Sequence, residues 1–164
     1  MMKADKKMLR TAAVLVRISL ESMLNHTEKQ DSSSRIQYAK AVEEDNPLLL
    51  KLRQEFPEAK VLLACSEDLT DDGIKELVAI CKIGDLIRII VLVDEGQQQG
   101  GYHFSEPIPA SIENQKIQFK NIDKEGEIEF IITEEKEGAV GYAIYRMIDG
   151  ESVDLFGEGM EDCC

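Results

Sequence analysis

Carboxylates supply most of the chemistry this chain could do. Glu67 and Asp68 follow the apolar run Val61 to Cys65, and Asp94 and Glu95 follow the run Leu86 to Val93. If both runs are parallel strands of one β-α-β unit, their C-terminal ends reach one sheet edge, where open α/β sheets bind ligands. Four hard oxygen donors at such an edge would hold Mg²⁺ or Ca²⁺, and the enzyme they imply is a Mg²⁺-dependent hydrolase. A second acidic group, Glu134, Glu135 and Glu137, shares one turn-rich segment in which only Lys136 opposes it. Charge left uncompensated in this way suits the steering of a basic partner.

Nucleophiles and bases offer less. His26 lies in a polar stretch and His103 beside a glycine-rich one, neither with a motif around it. A Cys–His pair would need Cys65 or Cys81 to meet His103 in space, with the thiolate stabilised nearby. Cys81 belongs to an apolar stripe, where a free thiol behaves as a small hydrophobe. GxGxxG, GxxxxGK[ST], GxSxG, HExxH, CxxC and the EF-hand loop are absent. The sequence therefore assigns no catalytic residue and no cofactor.

The charge narrows the field of partners. Among 164 residues, 19 Lys and Arg face 32 Asp and Glu, a net charge of −13. Residues 101–164 hold 5 of the basic and 15 of the acidic side chains, so they carry −10 of it. Phosphate binding needs clustered Lys and Arg, whereas the one basic cluster, Lys3, Lys6, Lys7 and Arg10, is interrupted by Asp5. Nucleic acid and anionic membrane are excluded as expected ligands. No apolar run approaches the roughly 18 residues of a membrane span. The cysteines follow no disulfide framework or metal spacing, which points to a reducing cytoplasm.

The elements that must position these groups are read from periodicity. Apolar residues from Met8 to Leu24 line more than one side of a helix, which would be central or form a homodimer. A weak helix is expected over Ile36 to Glu44, and Asn46-Pro47 starts a short apolar one that Pro57 closes. Thr70 reads as the cap of a further helix, with Ile74, Leu77, Val78 and Cys81 as its buried stripe and Gly84 at its end. Pro107 and Pro109 keep their segment out of a central strand. Lys116 to Ile122, Glu127 to Thr133 and Val140 to Ile148 alternate in polarity and read as an antiparallel meander.

The expected fold class is therefore α+β: N-terminal helices, one β-α-β unit, then a C-terminal antiparallel β-meander in a single mixed sheet. Residues 1–157 form one domain, and 158–164 a flexible acidic tail. The expected function is a non-enzymatic protein-binding module, an adaptor, inhibitor, immunity protein or secretion chaperone, that meets another protein through its acidic surface.

Overall fold

The computed structural model describes residues 36–96, 101–111 and 113–155. The chain divides into two units, residues 1–36 and 37–164, and the fold that follows is that of the second. The expected helix over residues 5–24, the homodimer it would make and the tail at 158–164 lie outside the described residues.

Asn46 begins the one described helix, α1 (Pro47–Glu55), by accepting from the N–H groups of Leu48 and Leu49 at 3.0 and 3.1 Å. Proline at the first helical position gives up an N–H that has no helical partner anyway. Nine strands follow: β1 (Lys60–Glu67), β2 (Glu76–Ile83), β3 (Leu86–Asp94), β4 (Tyr102–Phe104), β5 (Ile108–Ala110), β6 (Glu113–Lys120), β7 (Glu129–Lys136), β8 (Ala139–Ile148) and β9 (Glu151–Asp154). They make two antiparallel sheets. One has the order β1-β2-β3-β4, with β5 also on β3; the other is β6-β7-β8-β9. Pro109 sits opposite Arg88 in β5, at the edge of the first sheet, where a residue without an N–H costs no ladder bond.

Among the described residues the architecture is mostly β, with no parallel strand pair and no mixed sheet, and this corrects the α+β expectation. The decisive segment is 68–83. The helix expected there is instead a loop followed by β2, and Gly84 (φ 59) lies in a tight turn into β3 rather than at a helix end. Leu77 to Cys81 is apolar at every position, and such a run fits a helical stripe and a doubly buried strand equally well. The sheet wins because β2 is covered on both faces. Val78 and Ile80 pack with Ile89 and Val91 against Ile117, Phe130, Ile132, Tyr145 and Met147 of the second sheet. Leu77, Ala79 and Cys81 face Leu48, Leu49 and Leu52 of α1. Without a helix between β1 and β3 there is no crossover. The two strands still run in the same direction, because each is antiparallel to β2 between them.

The weak helix expected over Ile36 to Glu44 is absent too. Residues 37–45 form a strap without regular secondary structure that ends in a turn at 44–45, and in it Ala39 N–H donates to Ile117 O at 2.7 Å and Val42 N–H to Ala64 O at 2.9 Å. The strap thus bonds to the outer edges of both β1 and β6, edges that would otherwise offer open backbone to a stray strand. On the opposite side, His103 Nε2 lies 3.1 Å from Glu151 Oε1, and Glu106 N–H donates to Glu151 Oε2 at 2.9 Å.

Candidate functional site

Glu67 and Asp94 do end neighbouring same-direction strands, as the carboxylate reading required, but β2 separates them. Two strand spacings put their backbones roughly 9–10 Å apart. Each carboxylate is also engaged locally: Glu67 Oε1 pairs with Lys75 Nζ at 3.4 Å, and Asp94 Oδ1 accepts from Gly96 N–H at 2.9 Å. Asp68 turns away into the β1–β2 loop, where its oxygens accept from Asp72 N–H and Gly73 N–H. Among the described residues no three His, Cys, Asp or Glu side chains gather as a metal-holding group. The arrangement does not bring Glu67, Asp68, Asp94 and Glu95 together as the hydrolase centre would need.

The same loop holds a carboxylate that sequence reasoning passed over. Glu76 begins β2 and is fully buried. Its Oε2 accepts from Leu69 N–H at 2.6 Å, while Oε1 has no partner. Burial above all, then the nearby charges of Asp72 and Asp68, pushes its carboxyl up to about 7 against the pull of the Leu69 N–H. Thr70 Oγ1 is likewise buried without a partner. The available signal was the alternation Asp68, Thr70, Asp72, with Gly73 next, in a run where capping seemed a sufficient account of every polar residue.

The thiols are quiet. Cys65 lies between the sheets and Cys81 beneath α1, both fully buried, and burial pushes each up to about 11. A thiol held that far from ionisation is a poor nucleophile at neutral pH. His103 is committed to Glu151, whose carboxyl is held low chiefly by the Glu106 N–H and further by His103. Neither cysteine faces a base.

Glu134, Glu135 and Glu137 fall on the β7–β8 hairpin, which turns through Glu137 (φ 53) and Gly138 (φ 82). Positive φ at both central positions is the twist a two-residue hairpin requires. Glu134 and Glu135 point to opposite faces of the strand. Glu134 Oε2 accepts from Ser111 N–H, and Glu135 Oε2 from Asn114 Nδ2 at 2.6 Å, so both anchor the β5–β6 connection. Glu137 stays exposed at the tip. Beside them Ala139, Gly141 and Ala143, small residues on one face of β8, leave a groove. Two adjoining hollows of about 380 Å³ each occupy this end of the sheet. The first is bordered by Glu113, Glu135, Lys136 and Glu137, the second by Ser111, Glu134, Lys136 and the start of β8. Val140 and Tyr142, 69% and 67% exposed, line the second hollow as well.

Glu129, at the start of β7, is fully buried. Its partners are Arg146 on β8 and Ile122 N–H at 2.8 Å, while Arg146 also reaches Asp123. Burial alone would raise its carboxyl; the Ile122 N–H and the guanidinium outweigh that and hold it below the usual range. Lys120, its neighbour in the ladder, is left to solvent.

Comparison of the chain with protein-family models, curated proteins and solved structures finds no match. Among the described residues no helix is long and apolar enough to cross a membrane.

Proposed function

We propose that this chain is a protein-binding module that takes a basic, partly apolar segment of another protein at the groove of the β7–β8 hairpin. The observation that carries the reading is the make-up of that groove. One hollow is lined by Ala139, Gly141 and Ala143 with Val140 and Tyr142, beside Glu134 and Lys136, and the hollow adjoining it is bordered by Glu113, Glu135 and Glu137, with Lys136 shared as the one cation. A lining of this kind accommodates an apolar side chain, and the acidic border favours and orients a cationic one.

The test uses the partner recovered by affinity capture and surface-plasmon kinetics. Gly141 is the position to change, because a side chain built there meets nothing within 4 Å. Gly141→Leu should fill the groove and abolish binding while leaving the melting curve unchanged. Glu113→Lys with Glu137→Lys should instead slow association, since these two exposed carboxylates anchor nothing. Binding of both variants at the wild-type rate and affinity would remove the groove from the interface.

A further inference from the structure

We propose that the β1–β2 loop is a calcium site, with the side chains of Asp68, Thr70, Asp72 and Glu76 and the carbonyl of Ile74 as its donors. Two buried oxygens carry the inference. Glu76 Oε1 and Thr70 Oγ1 are enclosed by protein without a hydrogen-bond partner, and only Asn121 Oδ1 shares that condition among the described residues. Folded proteins rarely leave buried oxygens unsatisfied, and one explanation for such a group is an ion. Glu76 is fully buried, and its other oxygen accepts from the N–H of Leu69, which lies between Asp68 and Thr70, so its carboxyl sits beside that loop.

The rest of the loop matches the ion. Donors at alternate positions with a glycine sixth are how oxygen-donor loops wrap calcium, through side chains at the first, third, fifth and ninth positions and a carbonyl at the seventh. Counted from Asp68, those are Thr70, Asp72, Glu76 and Ile74, with Gly73 (φ 83) sixth. Asp68 folds the loop back on itself through Asp72 N–H at 3.2 Å and Gly73 N–H at 2.9 Å, and its oxygens keep further lone pairs. Asp72 has to give up the bond its Oδ1 accepts from Ile74 N–H at 2.7 Å, and as they stand the three acids do not form a metal-holding group. An all-oxygen set on an adaptable loop selects Ca²⁺, which tolerates irregular shells, over Mg²⁺, which demands a tight octahedron. The twelfth position, Ala79, lies inside β2, so the shell lacks the closing glutamate of an EF-hand and is completed by water. The site is separate from the β7–β8 groove and does not depend on it.

Isothermal titration of the full chain, first stripped with chelator, tests the proposal with calcium chloride and magnesium chloride as probes. One calcium per chain is expected, with Kd on the order of 10⁻⁴ M, the range of loops with few carboxylates. Thr70→Val keeps the shape and deletes one donor, and Glu76→Gln keeps the size and deletes the buried charge. Each should weaken calcium binding at least tenfold, while melting curves in chelator show both variants folded. No calcium binding by the wild type at millimolar concentration, wild-type affinity in both variants, or tighter magnesium than calcium would each overturn it.

Discussion

Two buried glutamates show how the environment of a single carboxyl decides its effect on stability. Glu129 has a guanidinium and a backbone N–H to hold its charge, whereas Glu76 in calcium-free protein has one N–H and two repelling neighbours. For Glu76 the sign follows from linkage. Its carboxyl ionises near 7 in the fold against an ordinary 4.5, so the native state holds the extra proton between those values. The stabilisation is complete below 4.5 and lost as pH rises through 7, with an upper bound of about 3 kcal/mol. In chelator, wild-type melting temperature should therefore fall relative to Glu76→Gln between pH 5 and 8, and parallel curves for the two proteins would contradict the assignment. Arg146→Met should behave oppositely to Glu76→Gln. It leaves the Glu129 charge buried without its cation, a loss of stability that denaturant unfolding at pH 7 would register.

At the scale of elements, the strand β2 is the clearest lesson in what this sequence encodes. Leu77 faces α1 and Val78 faces the second sheet, and a segment apolar on both sides carries no period from which helix and strand can be told apart. The meander was legible because β6 and β7 alternate: Ile117, Phe130 and Ile132 are buried inside, and Lys116 and Lys120 are exposed. The cap Asn46-Pro47 was legible because its signal is local. The Glu129–Arg146 pair and the strap over residues 37–45 were not, since both depend on partners far along the chain. The acidic hairpin was found by composition alone, but the anchoring of Glu134 to Ser111 and of Glu135 to Asn114 needed the fold. Leu77→Asp should destabilise by more than 3 kcal/mol, because it buries an unpaired charge between α1 and the sheet. Asn46→Ala should cost only about 1 kcal/mol, the loss of one cap. Chemical denaturation ranks the two; a larger effect at Asn46 would mean that α1 contributes more through its start than through its leucine face.

For the whole molecule, the net charge of −13 sets two salt responses of opposite sign. The described ion pairs are few: Arg53 with Glu44, Lys75 with Glu67, His103 with Glu151, and Arg146 with Glu129 and Asp123. Most of them are exposed and contribute little each. The remaining acids repel one another, and that repulsion opposes the compact state. Sodium chloride shortens the screening length from about 30 Å at 0.01 M to about 3 Å at 1 M, so it relieves repulsion across the surface before it weakens a close, partly buried pair such as Glu129–Arg146. Melting temperature should accordingly rise with salt. The same screening would remove the attraction proposed for a basic segment at the β7–β8 groove, so the association rate should fall over the same range while dissociation changes little. Measured together on one preparation, the two trends separate a general charge effect from a local one. A melting temperature that falls with salt would mean that the few attractive pairs, led by Arg146, outweigh the repulsion of all the other carboxylates.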